Sequence, residues 1–216
     1  MSIKNIQFRM VIDILMTVVS VILMGGTMLF PDDRVHQICG MVLFGLWIVH
    51  TVLNRRWYAS LFRGRYMSFR IMQTVVNLGI AVCAILLMIS GMSMAWFMPT
   101  GFGLSYARII HLISSHWYYL LMAVHLGMHI SQIATRMRLN ELGKVPSVII
   151  RIVVLIICCY GIYAFIIRGV WKYMFGIQQF FFLDLDRGYL LFAVDYLSIL
   201  ILVATVVHWV RKITAV

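Results

Sequence analysis

Charged residues are scarce in this chain. Only 12% of its 216 residues are Asp, Glu, Lys or Arg, whereas 63% are hydrophobic. A soluble domain carries roughly 25% charged residues, about twice this fraction. One small protein core has no room for so much apolar surface. The composition therefore argues against a soluble domain and predicts an integral membrane protein in contact with lipid.

Several other features are also missing. Proline is limited to three residues, and the chain has neither low-complexity tracts nor repeats, which argues against disordered, collagen-like and solenoid proteins. No C-x-x-C-H motif occurs, so a covalently attached c-type haem is not indicated. The four cysteines lie inside apolar runs, and we interpret them as free thiols packed as small hydrophobic groups: Cys39, Cys83, Cys158 and Cys159.

Acidic residues are fewer than basic ones, seven against 18, which gives a formal net charge of +11. A nucleic-acid-binding protein would show its basic residues as a stripe on a polar face. Here they fall in short gaps between apolar runs. Nucleic acid is therefore not an expected partner, and the charges are typical of residues that orient a membrane protein.

Six apolar segments are long enough to cross the hydrocarbon as helices, since about 20 residues suffice. They cover residues 10–30, 35–54, 71–97, 107–135, 147–168 and 189–210. The first lacks a small-residue cleavage site and is expected to be a retained helix rather than a signal peptide. The predicted fold class is an all-α integral membrane protein with about six transmembrane helices.

The basic residues are unevenly divided between the two sides that six spans define. Thirteen lie on the side of both termini: Lys4, Arg9, Arg55, Arg56, Arg63, Arg65, Arg70, Arg136, Arg138, Lys144, Arg151, Arg211 and Lys212. The remaining five of the 18 lie opposite: Arg34, Arg108, Arg168, Lys172 and Arg187. The positive-inside rule then predicts cytoplasmic termini in a bacterial cytoplasmic (inner) membrane.

Two acidic residues fall inside predicted spans, where a carboxylate is costly and usually has a partner. Asp13 lies near the cytoplasmic end of the first span and Asp195 about two turns into the sixth. The external gap 169–188 is rich in aromatic residues. This segment is predicted either to lie in the membrane interface or to form a lid over a cofactor or a dock for a partner.

Histidine carries the strongest functional signal. Six of the seven histidines fall in two spans: His36 and His50 in the second, and His111, His116, His125 and His129 in the fourth. A single intramembrane histidine is usually a hydrogen-bonding group between helices. Six in two spans are not well explained in that way.

The spacing of these histidines predicts two cofactor sites. His36 and His50 are 14 residues apart, and so are His111 and His125. Fourteen residues return to within about 40° on a helix and rise about 21 Å. Both spans run in one direction, so His36 is expected level with His111, and His50 with His125. Each pair can bind one haem iron from both axial sides, as helix bundles do.

The other histidines fit this pattern less well. His116 lies about 140° round the helix from His111 and is predicted to have a packing or interfacial role. His129, one turn beyond His125, is predicted to contact a haem propionate or a quinone headgroup, with haem ligation and packing as alternatives. His208 near the end of the sixth span is a further candidate for a propionate or quinone contact.

Small and basic residues accompany the histidines. Gly40 lies one turn after His36 on the same face, where a small residue lets a flat macrocycle approach, although glycine is common in membrane helices. Four arginines flank the predicted inner haem and are either propionate ligands or topology signals: Arg55, Arg56, Arg136 and Arg138. Arg34 and Arg108 could serve the outer haem.

The first four spans resemble a known family. The second span reads H…G…H-x-x-x-N-x-x-W from His36 to Trp57, and the fourth contains H-x-G-x-H at 125–129. These motifs resemble the flavinylation-associated cytochromes, which are small di-haem b-type membrane proteins. The resemblance covers about residues 10–140. It implies a four-helix cytochrome b bundle over 1–140 and two added helices, with the external loop, over 141–216.

The expected function is transmembrane electron transfer on two haem b groups. Four histidines would bind iron: His36, His50, His111 and His125. The resemblance implies electrons passing from quinol or a cytoplasmic donor to an extracytoplasmic flavin-bearing protein. One alternative is a quinol-oxidising anchor subunit of a respiratory dehydrogenase or reductase, with His129, His208, Asp13 or Asp195 handling protons. The others are a metal or haem transporter and an assembly subunit.

Overall fold

The computed structural model describes residues 3–63, 67–98, 103–137, 141, 143–182 and 188–214. The side chains of 3–6 and 214 are not described, and Arg65, Arg138 and Arg187 lie outside the described residues. The described chain is helical, without strands. Its α-helices are α1 (Ile3–Leu23), α2 (Asp33–Leu53), α3 (Arg55–Ala59), α4 (Ser68–Ser93), α5 (Leu104–Arg136), α6 (Lys144–Ile167), α7 (Val170–Met174) and α8 (Gly188–Thr214).

Five described helices are long and apolar enough to cross a membrane: α2, α4, α5, α6 and α8. The predicted all-helical architecture is therefore confirmed for the described residues, with five candidate membrane spans. The sixth predicted span corresponds to α1, which has 21 residues. Its crossing of the membrane stays a prediction.

The predicted spans agree with the helices to within four residues at each end, except for the first. Helix α1 begins and ends seven residues earlier than the predicted 10–30. It ends early because Gly26 has a φ of 62°, which breaks the helical path, and a short 3₁₀ turn at Thr27–Leu29 follows. Helix α2 then begins where the Asp32 side chain accepts a hydrogen bond from the Arg34 backbone N–H at 2.8 Å.

Helix α5 is the centre of the molecule. Its 33 residues span about 50 Å, and it packs against α4, α7 and α8. Its side chains supply much of the buried core, including Tyr119, Ala123 and Met128, each 0% exposed. The Tyr119 hydroxyl donates a hydrogen bond to the Tyr196 carbonyl oxygen on α8. Helix α6 packs on the outer side of α8, and α1 packs mainly on α2.

Two glycines allow α8 to approach its neighbours closely. A Cβ built on Gly127 of α5 would lie 2.6 Å from the Ala204 carbonyl oxygen of α8. A Cβ built on Gly161 of α6 would lie 2.6 Å from the Ser198 carbonyl oxygen. Gly127, the glycine of the H-x-G-x-H motif at 125–129, is therefore a helix-packing residue. Such small-residue contacts are characteristic of helix association in membranes.

This packing predicts that Gly161→Ala is destabilising. The added methyl group must push α6 and α8 apart, and overpacking of this kind costs roughly 1–3 kcal/mol. Thermal unfolding in detergent, followed by circular dichroism, should show a lower midpoint for this variant. Gly45→Ala is the matched control, because a Cβ at Gly45 meets nothing within 4 Å. Equal midpoints for the two variants would contradict the close contact.

Candidate functional site

The structure brings four histidines together in two pairs. The ring centroids of His36 on α2 and His111 on α5 are 6.3 Å apart, with an angle of 63° between the ring planes. The centroids of His50 and His125, on the same two helices, are 6.5 Å apart, with an angle of 77°. The predicted pairing is therefore observed. It requires α2 and α5 to run in the same direction, with the pairs about 21 Å apart along the bundle.

A large cavity opens beside the His36–His111 pair. Its volume is about 570 Å³, and both imidazoles line it together with Gly40, Trp47 and Arg108. Cofactor sites in proteins are clefts of roughly 300–1,000 Å³ with mainly apolar walls and a few polar groups. The cavity has these dimensions and this composition.

Gly40 forms part of the cavity wall, as predicted for a residue that lets a flat group approach. A Cβ built on Gly40 meets nothing within 4 Å, so a larger side chain here would project into open space. Gly91 of α4 lies across the cavity, where its Cβ would be 3.4 Å from Cε1 of His111. A Cβ at position 91 would therefore be in van der Waals contact with the His111 ring.

The segment after α6 covers one end of this cavity. Helix α7 is buried against α5: His116 stacks on Tyr173 with centroids 4.6 Å apart, and Trp117 Nε1 donates to the Met174 carbonyl oxygen at 3.0 Å. The chain then turns back, and Gln179, Phe180 and Phe181 line the cavity. This arrangement favours the lid interpretation of the 169–188 segment over one that only lies in the interface. Residues 183–187 lie outside the described residues.

His116 has the packing role that its angular offset predicted. Its side chain is 1% exposed, and its Nδ1 lies 2.8 Å from the Leu112 carbonyl oxygen one turn earlier. The tautomer with hydrogen on Nδ1 satisfies that carbonyl, and Tyr173 covers one face of the ring. His116 also lines the cavity, although at a different position round α5 from His111.

Polar groups orient the histidines of both pairs through Nδ1. Nδ1 of His50 lies 2.8 Å from the Asp13 carboxylate, and Nδ1 of His125 lies 2.8 Å from the Asn77 amide oxygen. In the other pair, Nδ1 of His111 lies 3.1 Å from the Ser90 hydroxyl. Metal-ligating histidines usually donate the hydrogen of the non-ligating nitrogen to such acceptors. These contacts engage Nδ1 of His50, His125 and His111 and leave Nε2 as the nitrogen of these three rings that could bind a metal.

The sequence predicts Asp13 near a span end and as one possible proton-handling group, but it predicts neither the contact of Asp13 with His50 nor any role for Asn77 and Ser90. The available signal was the presence of polar residues inside the apolar 71–97 run. Which polar residue meets which histidine depends on helix packing, so spacing alone did not reveal the contacts.

One amide contact competes with coordination at the His50–His125 pair. Asn54 Nδ2 lies 3.3 Å from His50 Nε2 and 2.9 Å from the His50 carbonyl oxygen. A metal at Nε2 would displace the longer contact, while the bond to the carbonyl oxygen would remain. Asn54 therefore helps to end α2 whether or not the nitrogen is occupied.

The remaining predicted residues lie at the His50–His125 end of the molecule. The His129 ring is 4.8 Å from the His125 ring, and its Nδ1 is 3.1 Å from the Gln132 side-chain oxygen. His129 thus adjoins this pair through its contact with His125 on the same helix. Arg55 and Arg136 are exposed near the ends of α2 and α5. The described ring contact of His208 is with its neighbour Trp209.

Two other charged residues have structural roles. Arg34, a candidate for the outer haem, lies over the Trp96 ring at 5.2 Å. Asp195, 1% exposed on α8, has the partner that its burial demands: Arg168 Nε donates to it at 2.8 Å, and the Tyr160 hydroxyl donates at 2.5 Å.

Across the part of the chain that the structure describes, no group of three or more His, Cys, Asp or Glu side chains could hold a metal ion. Zinc sites normally need at least three such protein ligands. The described histidines instead form pairs, and a pair is sufficient only for a metal whose other ligands come from elsewhere, as iron in a porphyrin.

Comparisons with family models, with curated proteins and with solved structures found no match to this chain.

The contact between Asn77 and His125 generates a stability prediction. Asn77→Leu leaves a half-buried imidazole N–H without its acceptor, which costs about 1–3 kcal/mol, so thermal unfolding in detergent should occur at a lower temperature. Asn77→Asp is the control, because it reproduces the carboxylate–imidazole contact that Asp13 makes with His50. If the Leu variant is as stable as the parent protein, the contact does not hold the ring.

Proposed function

We propose that this protein is a di-haem b-type cytochrome that carries electrons across a membrane. The observation that carries the proposal is the separation of the paired imidazoles. A metal–nitrogen bond of about 2.0–2.1 Å and a five-membered ring with bonds of about 1.33 Å put the centroids of two axial imidazoles about 6.3 Å apart. The observed separations are 6.3 and 6.5 Å.

The proposed iron ligands are His36 with His111 and His50 with His125. Haem b would supply reversible one-electron chemistry at each pair. The chain's own residues hold the imidazoles: Asp13, Asn77 and Ser90 orient three of the rings through Nδ1. The cavity beside His36 and His111, with Gly40 in its wall and Arg108 at its edge, supports a porphyrin with propionates at that pair.

The proposed topology has six spans, with α1 as the first and both termini in the cytoplasm. The thirteen-to-five division of basic residues supports it. In this orientation the His50–His125 pair lies toward the cytoplasm and the His36–His111 pair toward the outside. Electrons would enter at the His50–His125 pair, from quinol or a cytoplasmic donor, and leave at the His36–His111 pair.

We also propose membership of the flavinylation-associated cytochromes, with an extracytoplasmic flavin-bearing protein as the electron acceptor. The motifs at 36–57 and 125–129 support this proposal. His129, beside His125, and the exposed Arg55 and Arg136 are the proposed contacts for propionates or a quinone headgroup at the cytoplasmic pair.

The haem content tests the proposal directly. A pyridine haemochrome assay on the purified protein should give two haem b per chain. His50→Ala or His125→Ala should remove one haem, and His36→Ala or His111→Ala should remove the other, because each iron loses an axial ligand. Less than one haem per chain in the parent protein would refute the two-haem assignment.

Two control comparisons separate haem loss from misfolding. His208→Ala should retain both haems, because this residue is outside the proposed ligand set. Gly40→Phe fills the cavity and should lose the haem of the His36–His111 pair, whereas Gly45→Phe, which does not line the cavity, should retain both. Equal haem loss in both glycine variants would argue against a porphyrin beside Gly40.

Electron transfer across the bilayer is a separate prediction. When a membrane-impermeant reductant is added outside liposomes that contain the haem-loaded protein, ferricyanide trapped inside them should be reduced and lose its colour. His111→Ala and His125→Ala should each slow bleaching to the rate of protein-free liposomes, because electrons must pass both pairs. His208→Ala should keep the parent rate. If trapped ferricyanide bleaches no faster with the haem-loaded parent protein than in protein-free liposomes, the transmembrane path is contradicted.

A further inference from the structure

A second pocket lies where α6 meets α7, apart from both histidine pairs. Its volume is about 170 Å³, and its polar walls come from Arg168, Lys172, Tyr173 and Gln178. No acidic side chain is among its described lining residues. We propose that this pocket binds a phosphate-type oxyanion, supplied either by a phospholipid headgroup or as the free anion.

The guanidinium of Arg168 provides the main evidence for a ligand. Its side chain is 8% exposed, and its Nε donates to the Asp195 carboxylate at 2.8 Å. Asp195 also accepts from the Tyr160 hydroxyl, so both carboxylate oxygens are engaged. Nη2 of Arg168 is buried without a hydrogen-bond partner among the described residues. A buried donor in this state is costly, and Arg168 lines the pocket, so a small shift of the guanidinium toward a ligand oxygen there would satisfy this donor.

Charge identifies the ligand as an anion. The Asp195 carboxylate neutralises the Arg168 guanidinium. Lys172 therefore gives the pocket a net positive charge. An arginine fork and a lysine ammonium are the usual partners of phosphate oxygens. The Tyr173 hydroxyl already accepts from Gln178 Nε2 at 2.9 Å, so its own hydrogen can be donated to the ligand.

The position of the pocket suits a headgroup. Helix α6 has 24 residues and is about 36 Å long, which exceeds the roughly 30 Å of hydrocarbon. Arg168 directly follows its last residue, so in the proposed topology we expect it at the depth of the lipid phosphates.

The pocket also adjoins the lid over the cavity. Gln178 and Phe182 line the pocket, whereas the residues between them, 179–181, line the cavity. The backbone N–H groups of Ile177 and Gln178 donate to the Lys172 carbonyl oxygen at 2.9 and 3.2 Å. A bound oxyanion would therefore hold both ends of the short segment that covers the cavity.

Binding can be measured on the full chain in maltoside micelles. Sodium phosphate is titrated against sodium chloride at equal ionic strength, and phosphatidylglycerol is titrated separately, with the thermal midpoint as the readout. The parent protein should be stabilised by at least one of the two. Lys172→Gln should weaken the apparent affinity about fivefold, since an exposed charge contributes modestly. Lys172→Glu should abolish the effect.

Lys144→Gln is the matched control, because it removes the same exposed charge at the opposite end of α6. It should bind like the parent protein. When phosphate or phosphatidylglycerol binds, backbone amide hydrogen exchange of residues 177–182 should slow in the parent and Lys144→Gln proteins. In Lys172→Glu the exchange should stay unchanged.

The two titrations distinguish the source of the ligand. Stabilisation by phosphatidylglycerol alone identifies a lipid headgroup, and stabilisation by inorganic phosphate identifies a free anion. The proposal would be overturned if neither phosphate nor phosphatidylglycerol raised the thermal midpoint of the parent protein. It would also be overturned if the Lys172 and Lys144 variants lost this stabilisation equally. None of these readouts uses haem, so failure here is distinguishable from failure of the proposed cytochrome function.

Discussion

The arrangement of the whole candidate site depends on the parallel alignment of α2 and α5. Each helix carries two imidazoles 14 residues apart, and this spacing brings both to nearly the same face. Because the helices run in one direction at a matched height, one alignment produces two pairs. A shift by a single turn, about 5.4 Å, would break both pairs together.

The rest of the bundle maintains this alignment through α5. Helix α8 packs against α5 at Gly127, and α7 is fixed to it by Trp117 and His116. Helix α4 contributes Asn77 and Ser90, one to each pair. Asp13 from α1 reaches the other histidine of the His50–His125 pair, His50. Hydrogen bonds in an apolar medium have little competition from water, so these few contacts can define the orientation of the His50, His111 and His125 rings.

Polar groups inside the bundle fall into two sets with different chemistry. Around the histidine pairs, neutral or singly charged acceptors meet Nδ1 and leave the other nitrogen available. Around Asp195, the carboxylate is matched by Arg168 and Tyr160, as a buried charge requires. The first set suits coordination of a metal. The second is an ion pair between Asp195 and Arg168, in which Nη2 of Arg168 has no hydrogen-bond partner among the described residues. The two sets are therefore expected to differ in function.

The amino-acid sequence alone determined the helical class, five of the helix positions to within a few residues, and the pairing of His36 with His111 and of His50 with His125. The helices follow from local apolar composition and segment length. The pairing follows from the equal 14-residue spacing on two spans that run in the same direction because one span lies between them. The early end of α1 at Leu23, before the turn at Gly26, was missed because apolar composition continues past this turn. Only the tertiary structure decided that Asn77, Ser90 and Asp13 meet the rings, that 179–181 cover the cavity, and that Gly127 packs on α8. These contacts join segments far apart in the chain, and their choice depends on which helix faces pack together, which no local pattern specifies.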